Sequence, residues 1–430
     1  MGQVKLFGNA KGGVRAKRKP ARRKKPLKAL AVVLTVLVFL EALYFFGLYS
    51  DIPLIANLRR DYILTAMSTM RHQWLATYFI PESIIDKVMA GRTKAIVGQV
   101  GVTTTWADAS QPDTRTVDTT VTASSSGASS ADAEKEAFYT LFWELDRTTM
   151  DAYAAANPDV LANGWANISI NKAGLDDSGT SIQTTMGEQV LAIDAKNEIL
   201  LVRESGSGYR GVLAIAKDPS RLSVDMASTL WKTGQTAQTI ATASGGLLAM
   251  SASAFIDVDA QGNIGNGNGG NLAGYAMSHG AEYGTHYVYG YKRLEIRNDN
   301  LMYIRDCTDP VSADCRDAVE FQPALIVDGK ILVDSNCGWT GLQPRACIGQ
   351  SDKYEVLMLV IEGRNYAAGI LGTDVIVCSN ILRQHNCMQA MNIDGGTSAI
   401  LWYEGASVTR CSNSALVPEG RGLPNAFVYK

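Results

Sequence analysis

Residues 389–398, QAMNIDGGTS, decide how the rest of the chain is read. Neutral and apolar residues run into Asn392-Ile393-Asp394 and stop at Gly395-Gly396, the pattern of a buried strand that ends in a tight turn. Asp394 therefore sits at a strand end. Gly395 and Gly396 let backbone N–H groups approach a ligand there, and Thr397 and Ser398 add hydroxyls without filling the space. The alternative is a sheet-edge turn in which the Asp394 carboxylate bonds only its own backbone.

Working outward, residues 356–361 form a strongly apolar strand that closes on Glu362-Gly363-Arg364, so an acid and a base emerge together at a second strand end. Further strands are expected over 190–193, 199–202 and 211–216, separated by polar turns. Phe138, Leu141, Phe142, Leu145 and Met150 recur at helical spacing, and residues 225–233 read as a helix followed by a strand. Strands and helices alternate irregularly, with no internal repeat. The pattern predicts an α+β fold, a mixed β-sheet with helices packed against it, over a pure sandwich or a doubly wound sheet.

The N-terminal end is of a different kind. Residues 1–28 carry eleven Lys or Arg and no acid, which leaves 29 basic against 42 acidic side chains in the other 402 residues. A formal charge of −13 on that remainder argues against nucleic acid as a partner. Residues 29–49 are apolar apart from Glu41, long enough to cross a bilayer, and the basic flank predicts a cytoplasmic N-terminus with the rest outside. A signal peptide would be shorter and end at small residues, whereas Tyr44, Phe45, Phe46 and Tyr49 crowd this exit.

The expected organisation is thus a basic tail (1–28), a transmembrane helix (29–49), a helical juxtamembrane segment (50–100), a Ser/Thr/Ala-rich tether (101–133), a lead-in (134–210) and a main domain (211–430). Ile63, Met67, Met70 and Trp74 mark a packing stripe on the juxtamembrane segment that could pair chains, contact another membrane protein or lie on the bilayer.

The seven cysteines all fall between 307 and 411, none with C-x-x-C spacing and with His385 the one histidine among them, so thiolate metal binding is not expected. In an oxidising compartment disulfides are expected instead, and the near neighbours Cys307–Cys315, Cys337–Cys347 and Cys378–Cys387 would pair. The loop 262–270, GNIGNGNGG, follows Asp257 and could cradle a phosphate or sugar, bind calcium, or be a surface loop. Without a Lys or a following helix it is no P-loop.

The order of FQPALIVDGK (321–330), PRACIGQ (344–350), VIEGR (360–364), NIDGG (392–396) and RGLPNAFVY (421–429) resembles the phosphodiester glycosidase family, over roughly residues 211–429. That resemblance implies a hydrolase that cuts a sugar from a sugar 1-phosphodiester, with a phosphate-containing glycan as partner; no cofactor is expected, with a divalent cation such as calcium left open. Departures from the family pattern fall at Ser251-Ala252-Ser253, where an Asn is usual, at Glu362, at Ala346-Cys347 and at Thr397.

A phosphate monoester is already a good leaving group and needs cations more than a proton, a task suited to the arginine fork. Arg345 and Arg364 are accordingly the expected phosphate holders. Asp394, with Glu362 as the second candidate, is the carboxylate for the anomeric carbon. Asn392, Gly395, Gly396, Thr397, Ser398, Ser251 and Ser253 would line the sugar. Alternatively, Glu362 and Arg364 form an ion pair that only fixes strand ends. A second reading of the whole keeps the fold and drops the reaction, giving a glycan-binding or accessory subunit of a cell-envelope assembly.

Overall fold

The computed structural model describes residues 25–69, 72–106, 130–175, 178–287 and 290–430. Two compact units divide the chain, Met1–Arg59 and Arg60–Lys430. In the first, the helix Lys25–Tyr49 includes a stretch, Lys28–Tyr49, long and apolar enough to cross a membrane. The second holds three sheets with helices packed against them, the expected α+β architecture, and every strand pairing among the described residues is antiparallel.

The largest sheet has nine strands. Its centre runs Ile199–Gly206, Tyr209–Ala216, Val356–Ile361, Arg345–Ser351, Cys387–Ile393 and Ala324–Val327. Successive side chains of a strand point to opposite faces, and here both faces are covered, which is why VLMLVI at 356–361 reads as one apolar run. Leu200, Leu213, Leu357 and Leu359 meet Phe138 and Phe142 of the helix Ser130–Leu141 and Val375, Cys378 and Leu382 of the helix Val375–Gln384. On the other face Leu201, Val212, Met358 and Val360 join Leu294, Met250 and Phe427 from two five-stranded sheets.

Two local expectations change. Residues 225–233 are not a helix: Leu222–Met226 is a strand, with Asp225 opposite Ala426, and the helix is Ala237–Ser244. Thr236 starts that helix by accepting the Thr239 N–H, and left-handed Gly245 ends it. Of the segment read as a tether, residues 107–129 lie outside the described residues, while its ends are structured. Thr104 donates its N–H to the Ile304 carbonyl at 2.9 Å, Trp106 donates Nε1–H to Met302 at 3.0 Å, and Ser130 opens a helix.

The expected disulfide pairings are also absent: all seven cysteines are free thiols. Cys347 on its strand contacts Cys378 on the helix above it, and Cys387 donates to the Gln389 carbonyl within its own strand.

One buried charge cluster ties the helical layer to the sheet. Lys217 bonds both Glu144 and Glu355, and all three are almost wholly buried. Replacing Lys217 by Met would leave two carboxylates facing each other without a cation. A loss of roughly 3–5 kcal/mol in chemical denaturation is expected, and a variant within 1 kcal/mol of the parent would show that the cluster contributes little.

Candidate active site

Register explains why distant residues converge. In the strand order Val356–Ile361, Arg345–Ser351, Cys387–Ile393, Arg345 lies opposite Ile361 and Ala346 opposite Ile393. The start of the central strand and the ends of its two neighbours therefore share one sheet edge, where Arg345, Arg364 and Asp394 border a single cavity of about 670 Å³. That volume falls in the range of small-ligand sites.

The turn after Asp394 is held against the central strand. Gly396 donates its N–H to the Pro344 carbonyl at 3.0 Å and has φ +60, and a Cβ on Gly395 would lie 2.8 Å from the same oxygen. Only glycine fits both positions without strain. From the neighbouring sheet, Ser251 donates its hydroxyl to the Asp394 carbonyl at 2.7 Å.

The Asp394 carboxylate faces the cavity with Oδ2 buried and unpartnered. Burial raises its pKa to about 6, opposed by a Ser398 hydrogen bond and the Arg421 charge and reinforced by Asp257. Asp257 is the other carboxylate on the wall, but Arg421 pairs it through two bonds of 2.8 and 3.2 Å.

Arginines outnumber acids here: Arg92, Arg345, Arg364 and Arg421 against Asp257 and Asp394. Arg345 is buried and donates Nε to Thr373 and Nη2 to Trp339 and Gly341, all carbonyls. Arg364, at φ +58, donates Nε and Nη2 to the Gln343 side-chain oxygen. Arg92, on the helix Glu82–Gln99, lies 4.6 Å over the Trp339 ring. Among the described residues none of these three has a carboxylate partner, and burial pushes each guanidinium pKa down.

Several expected site residues lie elsewhere. Glu362 is not on the cavity wall. It pairs with Arg210 at 3.0 Å and accepts the Arg410 N–H at 2.9 Å, so its strand end points its side chain away from Arg364. The alternative, a Glu362–Arg364 ion pair, is likewise not formed. Ser251 and Ser253 are buried in inter-strand bonds, Ser253 with Asn425. Asn392 lines the cavity but donates to the Gln322 carbonyl at 2.8 Å. Thr397 and Ser398 lie on the wall, and Thr397 accepts from Ser412 at 3.3 Å.

Sequence reasoning missed Arg92, His72, Gln73, Asp257 and Arg421 as wall residues. Arg421 stood in a quoted motif. Arg92 and His72 carried no signal, because no pattern joins a juxtamembrane helix to a distant strand end.

The loop 262–270 turns its acceptors on itself: Asp259 caps Asn263 and Gln261, and Asp257 accepts the Gly267 N–H. Among the described residues one group has metal-ligand spacing, Glu188, Glu204 and His385, none of them on the cavity wall. His385 Nε2 lies 2.9 Å from Glu188, while its Nδ1 is buried without a partner. A ligand imidazole normally has that second nitrogen held, so this group reads as an ion-paired cluster.

With this geometry in place, the comparisons with known proteins agree with the ordered motifs. Residues 245–430 match the phosphodiester glycosidase family. No curated protein matches the sequence. The chain is similar to the zebrafish N-acetylglucosamine-1-phosphodiester alpha-N-acetylglucosaminidase catalytic domain auto-inhibited by its pro-peptide. Identity is 15%, the TM-score 0.44, and the match covers 54% of this chain and 81% of that one. A hypothetical protein from Synechocystis follows at 14% identity and TM-score 0.38, covering 56% and 63%. An exported protein from Burkholderia pseudomallei follows at 12% and 0.36, covering 52% and 75%.

The raised Asp394 pKa has a stability consequence with a definite sign. A carboxyl held above its ordinary 3.8 favours the folded state at low pH, and that advantage is lost as pH rises through about 6. Asp394→Asn removes the buried charge. It should therefore unfold later than the parent at pH 8, by about 1–3 kcal/mol, with the difference vanishing near pH 4. A variant that is less stable at pH 8 would show a paired, satisfied carboxylate.

Proposed function

We propose that this chain is a membrane-anchored phosphodiester glycosidase that hydrolyses a sugar 1-phosphodiester linkage in a cell-surface or exported polysaccharide. One observation carries the reading: three guanidiniums without counterions among the described residues and one orphaned carboxylate oxygen share a cavity of about 670 Å³. Buried cations without partners are costly unless an anion completes them, and a phosphodiester supplies one. The match to the phosphodiester glycosidase family supports the same reading.

Most glycosidases use two carboxylates, one of them to protonate the leaving oxygen. Here the second wall carboxylate, Asp257, is neutralised by Arg421, and Glu362 is turned away. One free carboxylate suffices when phosphate departs, because arginines stabilise the leaving charge without a proton. In the proposed step a water oxygen bonds the anomeric carbon as the bond from that carbon to the phosphate oxygen breaks. The electron pair of the broken bond leaves on phosphate, and Asp394 takes the proton from water. The helix Lys28–Tyr49 and its basic flank support a single-pass anchor with the domain outside the cytoplasm.

The full chain in detergent, given glycosyl 1-phosphodiesters, should release free sugar and a phosphate monoester. Since Asp394 acts ionised, kcat/KM should rise with pH and level off above about 6. Asp394→Asn should lower turnover by about 10²–10⁴-fold. Binding without release would instead identify a glycan-binding module.

A further inference from the structure

We infer that Arg92, from the juxtamembrane helix Glu82–Gln99, is a phosphate-holding residue of this site, so that the helix is a working wall of the cavity. The inference rests on the reading of the cavity as a phosphodiester site, and it goes beyond the family match, which begins at residue 245.

The three uncompensated arginines are not equally available. Arg345 spends Nε and Nη2 on three backbone carbonyls, which makes it a positioning residue. Arg364 has two nitrogens on the Gln343 side chain. Arg92 makes no hydrogen bond or ion pair to the protein among the described residues; its guanidinium lies over the face of Trp339, with the Tyr291 phenol as an electrostatic neighbour. A cation stacked on an indole keeps its in-plane N–H groups free for a bidentate anion, which is the geometry phosphate takes.

That arrangement is built. Arg345 donates to the Trp339 carbonyl, so the strand that begins the sheet edge also fixes the platform beneath Arg92. At Gly338 an added Cβ would lie 2.5 Å from Arg92 Cβ and 2.6 Å from its Cα, so the helix and the loop before Trp339 meet at backbone distance. Gln99, about two turns further along the same helix face, donates to the Ala324 carbonyl at 2.9 Å and accepts the Ala324 N–H at 3.1 Å. Gln343, which holds Arg364, also donates to the Thr65 carbonyl at 3.0 Å. Both sides of the cavity's cationic wall are thus tied to the segment that precedes the sheets.

The test uses the full chain in detergent and inorganic phosphate as the probe, followed by calorimetry. The parent should bind phosphate, Arg92→Gln at least tenfold more weakly, and Arg92→Lys in between, since a point charge remains without the fork. A thermal midpoint for Arg92→Gln close to the parent's separates lost binding from lost folding, and the Lys variant provides the same comparison if Gln unfolds. With a glycosyl 1-phosphodiester, KM should rise tenfold or more in Arg92→Gln. Equal phosphate affinity and equal KM in parent and Arg92→Gln would overturn the inference while leaving the glycosidase reading intact. Arg92-dependent phosphate binding with no sugar released by the parent would do the reverse.

Discussion

The structure depends on one constraint, the antiparallel register that puts the start of Arg345–Ser351 beside the ends of Val356–Ile361 and Cys387–Ile393. Because Ala346 is fixed opposite Ile393, the turn at Asp394 has one place to go, against the Pro344 carbonyl. A slip of one residue would turn every side chain of the strand to the other face and destroy both buried layers. The two apolar layers therefore secure a polar edge that would not assemble by itself. That edge holds desolvated charge in excess of what the protein neutralises, an arrangement characteristic of a site rather than of a core.

The cationic wall shows a division of labour. Arg421 pairs with Asp257 and leaves Asp394 as the wall carboxylate with an unpartnered oxygen. Arg345 ties the Trp339 and Thr373 loops to the start of its strand. Of the residues that precede the sheets, Thr65 accepts a hydrogen bond from the wall residue Gln343, Gln99 bonds Ala324 in the sheet, and Arg92 brings one guanidinium to the cavity. A segment that composition marks only as helical and near a membrane is therefore part of the site's frame.

How much of this was legible in the sequence follows from range. Strand ends at Asp394 and Arg364 were readable because apolar runs stop abruptly at Gly-containing turns, a local signal. Their convergence was suggested by the ordered motifs but depends on strand order, which no local pattern encodes. Glu362 was misread because period-2 alternation gives the face of a strand residue but not the direction taken just past the strand's end, where Arg210 captures it. The helix expected at 225–233 failed for another reason. Asp225 and its neighbours pair with the strand Asn425–Tyr429, about two hundred residues on, and that pairing outweighs local propensity. Arg92 was invisible because a lone arginine on a helix has no pattern to betray it.

The most direct measurement of the central claim is a structure of the full chain with a non-hydrolysable glycosyl 1-phosphonate bound. The account places the phosphonate oxygens within hydrogen-bond distance of Arg92 and Arg364, with the anomeric carbon facing Asp394 Oδ2. A ligand bound outside this cavity, or one whose anomeric carbon points away from Asp394, would contradict it.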